Sequence, residues 1–452
     1  MDTFTLRGQI CKTMSLLNLQ SISVRFCNAL YILAFSFITC SSTAFLQAQD
    51  KIDLREDYKI HDTYLIETKS TQQGELDIVA DGQNSKLPKR LRKAGHATSV
   101  YLEKILSTDA KNLGTKTLRR YSQLEATQKI GDETVQAGLR SSIRHIVFDR
   151  QTSQAVTFSP DGPLLLGELE QARSDVFLPR LSGLLPANPV KQGDFWKPEL
   201  SAVQELTDLQ EITRNDLECI LHSVEGDLAV VQFRGQVEGT TPTGSHLQTM
   251  QGSYQFQLRE RRLKSIRLEV TSTLKSKEGK PAGNITATYE LVRKPASSQL
   301  EADGLVLEPT EENTLLLVQE PKFGLEMVHS RRWVPRLPTE KNWQIDGPSG
   351  SGITIQFENS SAVSSAQDMR KPIETTLIKA VPDLKALADP PGWPSVERLA
   401  WQGTQNGKEY VFEYLLWKQK AAGAIIAARY FAPESELARK DVERMIRSLK
   451  RE

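Results

Sequence analysis

The sequence predicts an α+β protein: a large curved antiparallel β-sheet domain wrapped on a helix, followed by a smaller α/β sandwich with an antiparallel sheet. Three observations predict it. Between residues 228 and 293, four segments alternate apolar and polar residues with period two, as in a sheet packed on one face and wet on the other. Between 165 and 185 the apolar period becomes that of a helix. After a Pro-, Ser- and Glu-containing stretch, a second set of strands closes with an amphipathic helix near the C-terminus.

Near its N-terminus the chain has "VRFCNALYILAFSFITCSSTAFLQAQD", residues 24–50, which carries no charge between Arg25 and Asp50. Its strongly apolar part, Ala29 to Ile38, is shorter than the roughly 20 residues a spanning helix needs. It matches the roughly 7–15 residues of a secretory signal, with Arg7, Lys12 and Arg25 before it and small residues at Ala44 and Ala48 after it. A cleaved signal peptide over residues 1–48 is expected, and hence a secreted or periplasmic protein. An uncleaved N-terminal anchor is the alternative, a lipidated Cys40 is a third option, and Met14 is a second candidate start.

Composition bounds the rest. Removing residues 1–48 takes Arg7, Lys12, Arg25 and Asp2 from 57 basic and 56 acidic residues, leaving a net charge near −1. Such balance offers no long-range field for nucleic acid or an anionic membrane. The roughly 400 remaining residues exceed what one core usually supports, so two or three domains are expected. Of the four cysteines, Cys11, Cys27 and Cys40 lie in the leader. That leaves Cys219 alone, with no internal disulfide and no cysteine-based metal site. It sits among alternating apolar residues in "LECILHSV" and reads as a buried strand thiol.

The expected domains are a β-rich half-barrel-like unit at 49–295, in two halves at 49–160 and 186–295, then a linker at 296–314 and an α+β unit at 315–452. In the first, Tyr58, Ile60, Tyr64 and Ile66 recur near period two, and Ser159-Pro160-Asp161-Gly162 is a turn. Leu165, Leu169, Ala172 and Val176 share a helical face that Pro179 interrupts. Ala229, Val231, Phe233 and Val237 then share a strand face. So do Tyr254, Phe256 and Leu258, then Ile266, Leu268 and Val270, and finally Ile285, Ala287, Tyr289 and Leu291. The two β-rich stretches invite assembly into one sheet.

In the last unit five segments read as strands: "FGLEMVHSRRWVP", "GITIQFEN", "SVERLAWQG", "KEYVFEYLLWKQ" and "AGAIIAARYFAP". "KPIETTLIKAVPDLKAL" reads as a helix broken near Pro382. Leu437, Ala438, Val442, Met445, Ile446 and Leu449 form the stripe of the closing helix, with Ser435 as its cap. On "KFGLEMVHSRRW", the Gly407–Trp417 and Ala421–Phe431 strands, and "DVERMIRSLKR", residues 315–452 resemble the PsbP-like α/β/α sandwich family. The resemblance implies an accessory or binding module and supplies no functional residues. The N-terminal region resembles uncharacterised secreted bacterial proteins with a "P-V-K-x-G-D-x-W" element, here Pro189 to Trp196. By pattern it is also similar to lipoprotein-carrier half-barrels, which hold an acyl chain between sheet and helix.

Chemistry-bearing spacings are scarce. His61, His96, His145, His222, His246 and His329 form no close-spaced pair and no Glu-x-x-His, so no metal ligands are assigned. "GPSGSG" at 347–352 precedes a strand and lacks both nucleophile-elbow and P-loop spacing, so it reads as a turn. The basic runs "KLPKRLRK" and "RERRLK" lack interleaved aromatics and read as a solvated loop and a turn between strands, with an acidic polymer or anionic headgroups as the alternative contact. No catalytic residue and no cofactor is assigned. Trp393, in the Pro-rich "DPPGWP", together with Trp196, Phe233 and Tyr254, are the candidate ligand or partner surface.

Two functions are weighed. One is a non-enzymatic envelope protein binding a lipid or other hydrophobic ligand, or an envelope protein partner, and no nucleic acid. The other is a secreted hydrolase with a site assembled between domains. An apolar cavity walled by Val231, Phe233, Tyr254 and Ile266 favours carriage. A polar cleft with paired carboxylates, or a histidine beside an acid, favours catalysis.

Overall fold

The computed structural model describes residues 50–78, 89–151, 155–336, 338–418 and 422–451, so the expected leader lies outside the described residues. No described helix is long and apolar enough to cross a membrane. The protein is a β-rich α+β chain in two compact units.

The larger unit comprises residues 50–161 and 167–308. Its first strands are β1 (Thr63–Ile78), β2 (Lys89–Thr108), β3 (Gly114–Ile130), β4 (Glu133–Gly138), β5 (His145–Asp149) and β6 (Val156–Phe158). The two-residue strand β7 (Leu164–Leu165) belongs to the other unit. A helical stretch follows: α1 (Leu166–Ser174), α2 (Leu178–Leu181) and a 3-10 turn at Ser182–Leu184. After β8 (Phe195–Trp196) and α3 (Leu200–Thr207) come β9 (Glu211–Asn215), β10 (Glu218–Glu225), β11 (Leu228–Thr241), β12 (Gly244–Gln257), β13 (Arg262–Ser276) and β14 (Pro281–Pro295).

All these strands except β7 join one antiparallel sheet in the order β6-β5-β3-β2-β1-β14-β13-β12-β11-β10-β8, with β4 on β3 and β9 on β11. The two β-rich stretches meet where β1 pairs β14, from Tyr64 opposite Pro295 to Leu76 opposite Gly283. Period two decides which side chains are inside. Ala229, Val231, Phe233, Val237, Tyr254, Phe256, Ile266, Leu268, Val270 and Leu291 are all buried. Close strand approach needs glycine at Gly74, where an added Cβ would lie 2.2 Å from the Asn284 carbonyl oxygen.

The helical stretch lies against the inner face. Tyr254 on β12 donates its hydroxyl to the Leu184 carbonyl at 3.0 Å, and Gln248 donates to the Thr207 carbonyl at 3.2 Å. The single expected helix is two. Leu165 is in a strand, α1 stops at Ser174, and Pro179 occupies the first turn of α2, where its missing N–H costs nothing. Ile60 departs from the expected alternation and is exposed, because the chain turns at His61 with φ 73°. Within 296–314, Leu300 is fully buried with Leu118, Val147 and Phe158.

The smaller unit comprises residues 162–166 and 309–451. Its strands are β15 (Leu316–Glu320), β16 (Leu325–His329), β17 (Val334–Pro335), β18 (Asn342–Asp346), β19 (Gly352–Asn359), β20 (Lys385–Ala386), β21 (Val396–Gln405), β22 (Lys408–Lys418), β23 (Ala422–Phe431) and β24 (Lys450–Arg451). Its helices are α4 (Ala366–Leu377) and α5 (Ser435–Ser448). One sheet runs β17-β18-β19-β23-β22-β21-β20, and a second runs β24-β16-β15-β7.

The GPSGSG segment is the β18–β19 hairpin loop. Of the closing stripe, Ala438, Val442, Met445, Ile446 and Leu449 are buried, whereas Leu437 is 54% exposed. Ser435 is the first helical residue and not the cap, because the 3-10 turn Ala432–Glu434 runs straight into α5 and places Glu434 at the cap position.

Candidate functional site

Three of the four candidate surface residues converge, but as packing. Phe233 and Tyr254 are 2% and 1% exposed, with ring centroids 6.3 Å apart. Half-buried Trp196 donates its indole N–H to the Leu184 carbonyl at 2.8 Å, the oxygen that Tyr254 also reaches. Val231 and Ile266 are equally buried. These side chains seat the turn at Leu184 on the sheet. Trp393, in the smaller unit, is partly buried between Arg398 and Arg447, whose guanidinium carbons lie 5.4 and 4.9 Å from its ring.

The larger unit instead has a cavity of about 170 Å³ between the sheet and the ends of α1 and α3. Leu268, Val270, Ala287 and Leu206 supply apolar wall, and Gln171, Asp175, Tyr289 and Thr68 supply polar wall. Asp175 follows the last residue of α1. Its Oδ1 accepts from Ser99 Oγ at 3.0 Å and Thr68 Oγ1 at 3.2 Å, and its Oδ2 accepts from Tyr121 at 3.4 Å. Thr68 and Ser99 are direct cross-strand partners on β1 and β2, with hydroxyls 2.6 Å apart. Burial pushes the Asp175 carboxyl up, while Arg119 and the three hydroxyls pull it back.

Arg119 is fully buried behind Asp175. It donates to Glu103 Oε2 at 2.7 Å, to the Val176 carbonyl at 2.8 Å and to Tyr121 at 3.4 Å. Its guanidinium lies over the rings of Phe148 at 4.2 Å and Tyr101 at 4.5 Å. Two enclosed polar atoms, on residues that line the cavity, have no hydrogen-bond partner among the described residues. They are Oε1 of Gln171, a residue 2% exposed, and the buried hydroxyl of Tyr289.

A second cavity of about 220 Å³ adjoins the first and shares Asp175, Glu205 and Asp208 with it. Its further wall carries Arg150, Arg173 and Arg180. Glu205 accepts the Phe177 N–H at 2.7 Å and lies 3.6 Å from Arg180. Asp208 takes φ 50° at the end of α3, where its N–H donates to the Gln204 carbonyl at 2.8 Å. Partial burial, with the charge of Glu205, pushes the Asp208 carboxyl up to about 7, against the pull of Arg150 and Arg173. A third groove, of about 470 Å³, lies elsewhere on the same unit, bordered by Phe195, Gln232, Arg234 and Gln251.

A histidine beside an acid also occurs, but in a turn. His145 Nδ1 is 3.0 Å from Asp161 Oδ1, and Asp161 Oδ2 accepts the backbone N–H groups of Arg144 and His145, both at 2.7 Å. Cys219 is fully buried, and burial pushes its thiol up to about 12, so it is no nucleophile. Among the described residues no cluster of His, Cys, Asp and Glu could hold a metal ion.

Sequence reasoning did not single out Asp175, Gln171, Glu205 or Asp208. They lie near helix ends, where acidic and amide residues are ordinary. The available signal was the run of polar residues at inward positions, Thr68, Ser70 and Gln72 on β1 and Ser99 and Glu103 on β2.

No family model matches the chain, and no curated protein matches it. Among solved structures, DynF from the dynemicin biosynthesis pathway of Micromonospora chersina is 7% identical. The match covers 64% of this chain and 100% of that one, with a TM-score of 0.16. A Rhodopseudomonas blastica porin triple mutant is 8% identical over 81% of this chain and 100% of its own, with a TM-score of 0.12. Likeness at that level carries no argument about this protein.

Proposed function

We propose that the chain is a non-enzymatic binding protein of the bacterial envelope, secreted or periplasmic after loss of residues 1–48. In this proposal its larger sheet wraps the helices like a half-barrel, and a PsbP-like unit follows as a docking module. The ligand is a small molecule with an apolar body and a polar end. The cavity between β1, β2, β13 and β14 and the ends of α1 and α3 carries the proposal. It joins apolar wall to the polar side chains of Thr68, Gln171, Asp175 and Tyr289, and Gln171 and Tyr289 each carry an enclosed atom, Oε1 and the hydroxyl, that the described residues leave unpartnered. An apolar wall with a few convergent polar groups is the usual make-up of a small-molecule site.

Native mass spectrometry on protein purified from its own envelope fraction tests this. The expected result is an added mass that denaturation removes and that Gln171→Leu fails to retain. A bare mass from both proteins overturns it.

A second reading rests on Asp208. A carboxyl held near 7 beside Glu205, in a cleft, is suited to general acid–base work. It requires turnover of chromogenic ester, amide or glycoside substrates with a pH profile that Asp208→Asn abolishes. No turnover by the unaltered protein retires it.

A further inference from the structure

We propose that the groove of about 470 Å³ on the outer face of β8 and β10–β13 binds a neutral oligosaccharide. The inference makes no use of the cavity between the sheet and the helices and goes beyond the binding function proposed above.

The groove begins at an aromatic ring that the fold holds in solvent. Among the described residues Phe195 is the only exposed phenylalanine, tyrosine or tryptophan, at 65%. The Pro189–Trp196 element accounts for its direction. Asp194 accepts the Lys191 N–H at 2.8 Å in a turn where Gly193 takes φ 90°, and the Asp194 carbonyl accepts the Leu221 N–H at 3.2 Å. Phe195 then pairs Ile220, and Trp196 pairs Cys219. Successive side chains on a strand face opposite ways. Trp196 turns inward, where its indole N–H reaches the Leu184 carbonyl, so Phe195 is fixed outward.

Two cross-strand rows extend from there over the sheet face. One runs Phe195, Ile220, Gln232, Ser253 and Arg267, and the other Glu218, Arg234, Gln251 and Glu269. From β8 to β13 is four strand spacings, about 19 Å at roughly 4.8 Å each. That length suits a short chain of sugars better than a single ring.

The chemistry of the rows selects the ligand. The charged residues of the groove, Glu218, Glu269, Arg234 and Arg267, sum to zero, so it sets up no field for a nucleic acid or a charged peptide. The backbone groups beneath are committed to the strand ladders, so an extended peptide finds no edge to pair with. What remains is planar side chains that offer paired donors or acceptors, which match the neighbouring hydroxyls of a pyranose. Gln232 and Arg234 are exposed and have no hydrogen-bond partner among the described residues. Gln251 donates to Glu269 at 2.8 Å and keeps its Oε1 as an acceptor. The apolar C–H face of a sugar ring covers Phe195, whose ring supplies a flat apolar surface.

The test is isothermal titration calorimetry on the full chain. Cellohexaose, N-acetylated chitohexaose and maltohexaose are the neutral probes, and hexagalacturonate and hexalysine the charged ones. At least one neutral hexamer is expected to bind, about tenfold or more tighter than its own monosaccharide and than either charged probe. Phe195→Ala and Phe195→Leu should each weaken that binding at least about tenfold, because neither offers a flat ring, whereas Phe195→Trp should retain it. Phe195 is exposed, so its replacement leaves the fold intact, and an unchanged urea midpoint checks this.

No binding of any neutral hexamer overturns the inference. So does equal or tighter binding of a charged probe, or parental affinity in Phe195→Leu. None of these outcomes bears on the mass retained in the cavity, so the groove and the cavity stand or fall separately.

Discussion

Glu103 on β2 and Arg119 on β3 are direct cross-strand partners, joined at 2.7 Å, and neither side chain exposes any surface. The pair is the support on which Asp175 rests, because Arg119 also holds the Val176 carbonyl and the Tyr121 hydroxyl. Glu103 Oε1 has no partner among the described residues, so Arg119 is its main compensation. Removing one partner of such a pair typically costs about 3–5 kcal/mol, whereas apolar replacement of both can be near neutral. Arg119→Met should therefore lower stability by about that amount in urea unfolding, and adding Glu103→Leu should recover a large part. Additive losses would show that the two side chains are not coupled.

Asp208 predicts a pH-dependent change in stability. Its folded-state carboxyl titrates at about 7 against an ordinary 3.8, so between those values the folded chain holds a proton that the unfolded chain has lost. The stability it contributes is full below 3.8 and is lost as pH rises through 7. Asp208→Asn removes that loss. The variant should be more stable than the parent at pH 8 and equal to it near pH 4. Asp208 is more than a third exposed, so solvent screening holds the gain to within about 1 kcal/mol. Thermal unfolding at the two pH values decides.

His246 predicts the opposite slope. Burial pushes its imidazole down to about 4 from 6.5, so between these values the unfolded chain binds a proton that the folded chain refuses. Stability is full above 6.5 and falls as pH drops toward 4, by at most about 3 kcal/mol at 1.36 kcal/mol per unit. His246→Gln, which can still meet Thr241, 3.1 Å from Nε2 in the parent, should flatten the curve over that range in urea titrations. An unchanged slope would exclude His246 as its source.

Gly347 predicts a steric effect. An added Cβ would lie 2.6 Å from the Trp333 ring, which is 1% exposed and anchored by its indole N–H on Asp441 at 2.7 Å. The ring cannot swing aside without breaking that bond. Gly347→Ala should cost about 1–3 kcal/mol, read as a lower urea midpoint with altered tryptophan fluorescence. A midpoint equal to the parent's would show that the hairpin loop yields instead.

Alternation in β11–β14 assigns inward side chains because the pleat has a period of two, and burial follows it at Val231, Phe233, Ile266 and Leu268. The same pattern cannot say that these side chains are packed rather than lining a cavity. That depends on where Leu184 and its turn come to rest. Leu437 shows the limit on helices, since position on a stripe predicts burial only if a neighbour covers that end of it.

By itself, the sequence determined the β-rich class, the inward faces of the long strands, the buried Cys219 thiol and most of the amphipathic face of α5. Local periodicity and burial suffice for each of these. Tertiary structure alone decided that β1 pairs β14, that β7 pairs β15 in parallel, and that Asp175 meets Ser99 and Thr68, which lie 76 and 107 residues away. Period two names the face of a strand and not its neighbour. A carboxylate at a helix end gains its meaning only when two hydroxyls from distant strands are brought to it, which no local pattern encodes.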